Sequence, residues 1–292
     1  MGITHVIRGE EWLPSVPKHL LLYKYFGWQP PVLAHLPLLL NPDRSKLSKR
    51  QGDVAVEDYR RKGYLKEAIV NFVAFLGWNP GDDREIFTME ELIRDFSLER
   101  VGKAGAVFNI EKLNWLNQQH IRRKGSAELG MLLRPILEEE GIVVSDEVYF
   151  EKVVSLLKEK LTLLNDFVEY SRYFFVEPTS YEEAGIAKHW TRETPEQLKL
   201  LIARLEKVQE FTKTFLETAL KQVAEELGVK PAKLIHPVRL ALSGRQVGPG
   251  LYEMMEVLGR DRTLRRLHAA IERKVTSQYE DQHQSQGGLH AR

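Results

Sequence analysis

The chain has 292 residues, enough for about two domains, and a formal net charge of only +1, so an anionic partner must be met by local basic patches and not by a global field. It has no cysteine, which excludes disulfides and thiolate metal sites and fits a reducing compartment, and its nine histidines form no HExxH-type pair. The longest apolar runs, such as 69–76, are too short to span a bilayer, and no basic, apolar, small-residue leader opens the chain, so neither a membrane span nor a signal peptide is expected.

In chain order, residues 3–8 read as a β-branched strand that begins almost at the first residue. Pro14 and Pro17 mark a turn, and 18–26 reads as a short helix stopped by Gly27. The apolar run 32–40, broken at Pro37, is a second strand leading into a loop. Strand, helix, strand and loop make an α/β fragment. The polar stretch 41–52 is the first clear loop, and from there the pattern is helical.

Leu65, Ala68, Ile69, Phe72, Val73 and Leu76 keep helical spacing up to Gly77. Thr88 and Glu91 form a capping box for a helix over 89–96, and Asn109 caps a helix carrying Leu113 and Leu116. Ser145 is a cap candidate for a helix with Val148, Val153, Leu156 and Leu157. Thr194, Pro195 and Gln197 start another, and further apolar periods run from Phe215 to Leu227 and, behind Asp261, to Ile271. The expected fold is therefore mainly α, with a partial Rossmann α/β segment at the N-terminus followed by helical domains. The tail, 277–292, is polar and expected to be disordered.

Asn41-Pro42-Asp43-Arg44-Ser45-Lys46-Leu47-Ser48-Lys49-Arg50 holds four cations in one loop, with two lysines flanking a Leu-Ser pair. Mobile point charges on a loop that can wrap a polyphosphate suit phosphate handling, although a solvated turn has the same composition. Two more clusters are basic: His120-Ile121-Arg122-Arg123-Lys124 and the helix with Arg260, Arg262, Arg265, Arg266, Arg273 and Lys274. Either can neutralise nucleic-acid phosphates, or be a solvated helix face.

Neighbouring blocks extend the pattern: His5-Val6-Ile7-Arg8-Gly9-Glu10-Glu11-Trp12-Leu13 before the loop and Ala34-His35-Leu36-Pro37-Leu38-Leu39 leading into it. Gly63-Tyr64-Leu65, Phe75-Leu76-Gly77-Trp78, Phe96-Ser97-Leu98-Glu99-Arg100 and Leu113-Asn114-Trp115-Leu116-Asn117 follow. With these blocks the chain resembles the class I synthetases that attach glutamate or glutamine to tRNA, with 46–50 matching their KMSKS signature in its glutamyl form. The resemblance is strong over 3–121 and returns over 240–258.

The resemblance implies an aminoacyl-tRNA synthetase, a glutamate–tRNA ligase using ATP with Mg2+, L-glutamate and tRNA(Glu), with tRNA(Gln) left open as a second tRNA partner. Lys46 and Lys49 would contact ATP phosphates and stabilise charge in the adenylation transition state, and Ser48 would shape the loop. Glu11, Trp12, Leu38, Leu39 and Arg50 would border the ATP site, and Arg8 would pair with the amino-acid substrate. Read without the resemblance, Arg8 is an ordinary strand-end salt bridge and Trp12 is core packing. Unstacked anticodon bases need guanidinium or planar partners, for which Arg245 and Gln246 are candidates; Arg122, Arg123 and Lys124 are candidates for tRNA phosphates. No protein-bound metal is expected.

The implied layout is a C-terminal part of the Rossmann catalytic domain over 1–42 and the KMSKS loop with a stem-contact domain over 43–122. Two helical anticodon-binding subdomains follow, over 123–192 and 193–276. The long helical region argues against the glutamine enzymes' β-barrels and for the bacterial or organellar glutamyl type, a cytoplasmic (bacterial) or organellar monomer. The alternative is a free-standing, non-catalytic tRNA-binding module or helical adaptor. Mixing the chain with a separately expressed N-terminal half tells the two apart: restored charging marks a split ligase, and tRNA binding without restoration marks the module.

The class's HIGH signature, whose histidines bind ATP, is missing: neither His19-Leu20 nor His35-Leu36 has its pattern. The chain is therefore expected to be a C-terminal portion that cannot form glutamyl-adenylate alone. Glutamate-dependent ATP–pyrophosphate exchange should be undetectable with the purified chain; measurable exchange overturns that expectation.

Overall fold

The structure is a computed structural model that describes residues 2–47 and 55–275. It divides into two compact units, one of Met1–Lys124 with Leu161–Asn165, the other of Gly125–Lys160 with Asp166–Arg292. The chain is mainly helical, as the sequence pattern predicts.

The first unit opens with β1 (His5–Gly9), a 3-10 turn at Glu10–Ser15, α1 (Val16–Phe26) and β2 (Val32–Leu36). β1 and β2 pair in parallel, with Gly9 opposite Leu36, so their carboxyl ends lie side by side. Gly27 ends α1 in the left-handed conformation at φ 67°, which glycine adopts without a Cβ penalty. Pro37 interrupts the ladder after β2, and the chain resumes as β3 (Leu39–Leu40), paired in parallel with β4 (Ala106–Val107). Four further helices complete this unit: α2 (Val56–Arg61), α3 (Lys66–Ala74), α4 (Met89–Asp95) and α5 (Ile110–Arg123). The capping box of Thr88 with Glu91 and the Asn109 cap form where the sequence places them.

No residue of β1 or α1 is buried; the unit's core lies instead between α3 and α5, where Tyr64, Phe72, Leu113 and Leu116 cluster with Tyr59, Ile69 and Phe108. Two of the blocks quoted above meet here: the Leu65 amide donates to Asn117 Oδ1 at 2.8 Å, and Tyr64 donates to Asn114 Oδ1 at 2.5 Å. Gly63 sits at φ 89°, where a Cβ would lie 2.8 Å from the Asn165 nitrogen, so only glycine lets the segment Leu161–Asn165 pack against this turn. Asn117 Nδ2 donates to the Thr162 carbonyl and Leu164 N to the Gly63 carbonyl, fixing that segment to the first unit.

The second unit runs α6 (Ser126–Glu139), α7 (Glu147–Leu157), α8 (Asp166–Phe175), α9 (Glu183–His189), α10 (Thr194–Glu206), α11 (Lys213–Glu226), α12 (Ala232–Ser243) and α13 (Leu251–Ala269), then a π-turn at Ala270–Lys274. Its helices bury Leu133, Phe150, Phe167, Leu201, Leu220 and Met254, among others. Three starts differ from the sequence reading. Asp146, not Ser145, caps α7 by accepting from the Tyr149 amide, a carboxylate being the better acceptor at a helix N-terminus. Thr194 is the first residue of α10, and its hydroxyl accepts from the Thr191 amide outside the helix. Asp261 caps nothing: α13 continues through it, and the break falls at Gly259, with φ 78° and ψ 169°.

Asn71, fully buried on α3, binds three groups at once. Its Nδ2 donates to the Glu85 carbonyl at 3.2 Å, and its Oδ1 accepts from the Phe87 amide at 2.9 Å and from His120 Nε2 at 3.1 Å. Asn71→Ala orphans all three, and the first unit should lose about 3 kcal/mol or more in urea unfolding. Burial also pulls the His120 pKa below the ordinary histidine value, against the opposing pull of Glu67. The unfolded chain binds this proton below about pH 6.5 and the folded chain does not. Stability is therefore full above that pH and declines as pH falls towards the lowered folded value. Urea midpoints taken from about pH 7.5 to about pH 5.5 should fall in the parent and fall less in His120→Gln.

Candidate functional sites

Ligands in open α/β sheets bind beyond the carboxyl ends of the strands. Here those ends carry Gly9 and Leu36, and the following residues wrap round a cleft of about 550 Å³. Glu10 steadies one rim, its Oε1 accepting from the Leu38 amide at 3.4 Å. The opposite rim is a tight turn: Asn41 N donates to Ser45 O at 2.8 Å, Leu47 N to Leu39 O at 2.9 Å, and Lys46 bridges Leu40. Within the turn Arg44 holds φ 66°, and Asp43 accepts from the Ser45 amide and hydroxyl, which keeps its carboxyl below the usual range.

This geometry brings together four of the residues predicted for ATP, namely Glu11, Leu38, Leu39 and Lys46, over a floor that includes Tyr59 and Phe72. The cleft is thus apolar below with an exposed lysine at its rim, a shape that fits a planar base with an attached anion. Ser48, Lys49 and Arg50 lie outside the described residues. Trp12 is half exposed in the 3-10 turn, so it is not core, and it faces Arg8 at 5.6 Å and not the cleft.

Arg8 lines a separate hollow of about 300 Å³ with His19, Tyr23 and Trp28. Its Nε donates to His35 Nε2 at 3.2 Å, and its Nη2 lies 3.4 Å from His19 Nδ1. No carboxylate pairs with it among the described residues, so the strand-end salt bridge is not what this arginine makes. A guanidinium facing only imidazoles and an indole ring retains its capacity for an added carboxylate. Among the described residues no group of three or more His, Asp or Glu is placed to hold a metal ion.

In the second unit a cleft of about 500 Å³ opens where the segment 244–249 crosses α8 and α12. Gly244 caps α12 at φ 75°, and a Cβ there would lie 2.6 Å from the Ser180 carbonyl. Glu182 ties the segment down: its amide donates to the Gly244 carbonyl and its Oε2 accepts from the Gln246 amide, both at 2.9 Å. Gly185 on α9 leaves the space that Gln246 Cγ occupies, since a Cβ there would be 2.7 Å from it. Arg245 lines the cleft, but its guanidinium is taken up by the Glu169 carboxylate, the Glu169 carbonyl at 2.9 Å and Glu182 Oε1 at 3.5 Å.

Arg239, which sequence reasoning missed, is different. Its Nη1 donates to the Pro249 carbonyl at 2.6 Å, and no carboxylate lies within ion-pairing distance among the described residues. Glu253, whose charge reaches it, is paired with Lys213 at 2.7 Å. Burial pulls this guanidinium below the ordinary arginine range. Lys160 adds a second cation at the rim, donating to the Gly248 carbonyl at 2.5 Å, and Tyr170 and His236 add flat surfaces. A signal was present in the sequence: Arg239 stands inside the otherwise apolar run Pro237-Val238-Arg239-Leu240-Ala241-Leu242.

The basic clusters are largely spent on the fold. Lys124 pairs with Glu67 at 3.0 Å and Arg122 is half buried, leaving Arg123 as the exposed member. Arg265 and Arg266 both bind Glu177, and Arg260 donates to the Glu206 and Val208 carbonyls. Arg262 lies 4.2 Å above the Tyr149 ring.

Comparison with known proteins covers both clefts. The family described as tRNA synthetases class I (E and Q), catalytic domain, matches residues 1–115, and the anticodon binding domain family matches 128–271. The chain is 52% identical over 286 residues to the glutamate–tRNA ligase of Chlorobium phaeobacteroides and 55% over 284 residues to that of Chlorobaculum parvum, covering 94% of this chain in each case. The chain belongs to the glutamate–tRNA ligase family. It spans 57% and 56% of the length of those two relatives, in their C-terminal part. Among solved structures, a glutamate–tRNA ligase from Elizabethkingia meningosepticum, in complex with its amino acid, superposes with a TM-score of 0.84 at 38% identity. That match covers 93% of this chain and 57% of the other. The enzyme from Elizabethkingia anophelis gives 0.80 at 38% identity, covering 92% and 57%. In this glutamate–tRNA ligase relative, the Arg8 hollow and the Lys46 cleft fall within the catalytic-domain match, and the Arg239 cleft within the anticodon-binding match.

Proposed function

We propose that this chain carries the tRNA-reading part of a glutamate–tRNA ligase together with one wall of its ATP and glutamate sites. The observation that carries this reading is Arg239: a half-buried guanidinium with no carboxylate partner among the described residues, beside a cation and flat rings, inside the anticodon-binding match. Unstacked bases are held by such groups, through their polar edges and their faces. The partner is tRNA(Glu), with tRNA(Gln) a second candidate, and the chain acts as a monomer in the bacterial cytoplasm. Arg245 sets the frame of the cleft through its two glutamates, and the Gln246 amide group is carried at its edge.

In the complete ligase the cleft at Glu11, Leu38 and Leu39 takes the nucleoside of ATP, whose phosphates arrive with Mg2+. Lys46, with Lys49 and Arg50, meets those phosphates on the loop that Ser48 shapes. Arg8 takes a glutamate carboxylate, and Trp12 stacks against the guanidinium. Residues 1–42 act as catalytic domain, 43–122 as loop and stem-contact domain, and 123–192 with 193–276 as the two anticodon-binding subdomains. Arg122, Arg123 and Lys124 sit at the junction, where Arg123 is the member available to a phosphate.

Filter binding of the chain to a tRNA(Glu) transcript tests the reading. Binding should be salt-dependent and tighter than to an unrelated tRNA. Arg239→Ala should weaken it about tenfold or more, as expected for loss of a charge-assisted hydrogen bond. Arg245→Ala should lower the melting temperature first, because it unties the segment 244–249 from Glu169 and Glu182. Equal affinity for both tRNAs, or an unchanged Arg239→Ala, overturns the proposal.

A further inference from the structure

Among the described residues the hydroxyls of Ser171, Tyr173 and Thr263 are buried without a hydrogen-bond partner, whereas Tyr149 donates to the Phe174 carbonyl at 2.8 Å and Tyr64 to Asn114. Of these three, Tyr173, on α8, is the one that lines the second unit's cleft. Its side chain is only 6% exposed, yet its hydroxyl has no hydrogen-bond partner among the described residues. An unanswered buried hydroxyl destabilises the fold, and phenylalanine would fill the same space without that cost.

The hydroxyl's position matters more than its lack of a partner. A Cβ on Gly248 would stand 3.6 Å from the Tyr173 hydroxyl and 2.9 Å from Arg239 Nη1. The two polar groups therefore flank the space that a side chain at 248 would enter. Gly248 is not among the glycines with positive φ, so its backbone does not demand glycine. What glycine provides is space beside both groups that a side chain would fill.

We infer that the Tyr173 hydroxyl is a specificity-determining contact, donating to a carbonyl oxygen or ring nitrogen on the edge of one unstacked anticodon base. This rests on the reading of the cleft as the anticodon site. Burial pushes the phenol well above its ordinary pKa, so it stays protonated and is a donor at neutral pH. Arg239 can only donate, so the edge that meets both groups must present an acceptor to the guanidinium, and the hydroxyl donates to the acceptor beside it.

The test uses the full chain and anticodon stem-loop RNAs in fluorescence anisotropy, comparing the parent with Tyr173→Phe. For the intact tRNA(Glu) loop the variant should bind about tenfold more weakly, with a melting temperature equal to or above the parent's. The penalty should vanish for one stem-loop in which a single anticodon nucleotide is made abasic, because the base and the hydroxyl then report on one contact. An unchanged affinity of Tyr173→Phe for the intact loop overturns the inference and leaves the anticodon site standing; a buried water then answers the hydroxyl. A penalty that persists with every abasic loop also overturns it, placing the contact on the RNA backbone. If the parent itself fails to distinguish the tRNA(Glu) loop from a scrambled one, the reading of the cleft fails and the inference falls with it.

Discussion

A guanidinium removed from water must be met by an anion or by carbonyl oxygens, and the way each arginine of this chain meets that demand separates scaffold from site. Arg245 spends itself on Glu169 and Glu182, Arg266 on Glu177 and the Leu242 carbonyl, and Arg260 on carbonyls before α11. These pairs join segments far apart in sequence and hold the second unit's helices in register. Arg8 and Arg239 are met only in part, by imidazoles in one case and one carbonyl in the other. Truncating a fully paired arginine cuts several ties between distant segments at once and so is felt as lost stability. Truncating a partly met one cuts fewer such ties, so its effect falls mainly on whatever ligand completes it.

The same division explains how the second unit's cleft is kept open. A loop of six residues, 244–249, would collapse onto α8 and α12 if only apolar contact held it. Glu182 grips it from α9's N-terminal side, Lys160 and Arg239 grip its carbonyls at 248 and 249, and Gly185 and Gly244 permit the close approaches. Many of the loop's backbone groups are thus satisfied internally, at Gly244, Arg245, Gln246, Gly248 and Pro249. That is the pre-organisation a base-reading site needs, because ordering the loop on binding would subtract from affinity.

Much of this was legible in the sequence, for local reasons. The Thr88 box, the Asn109 cap and the Gly27 stop act within a turn or two, so spacing alone reveals them. The first unit's blocks were legible as blocks, and the structure supplies the reason two of them go together: Gly63-Tyr64-Leu65 meets Asn114 and Asn117 through hydrogen bonds. Helices α6 and α12 were missed because Pro135 and Pro237 lie inside them and break the expected pattern, and α9 because it has seven residues and a central glycine. The cleft of the second unit was only half legible. Arg245 stood out beside glycines in a polar loop, yet its partners lie 76 and 63 residues away by number, at Glu169 and Glu182, and no local rule finds them. Arg239 looked like an interruption in an apolar helix face.

The two unequal arginines also bear on how a sequence should be searched for such sites. A cation in a glycine-rich loop draws attention because loops carry function. Here that cation fixes the loop, and the cation inside the helix faces the cleft. The reason is geometric: a helix holds a guanidinium within a narrow range of positions, whereas a loop arginine must first be restrained by partners before it can discriminate anything. A charged residue that interrupts an apolar helical period, five residues before a glycine cap, is therefore the stronger pointer to recognition. In this chain the apolar neighbours Val238, Leu240 and Ala241 anchor the helix so firmly, all of them buried, that Arg239 has little freedom except towards Pro249 and the cleft.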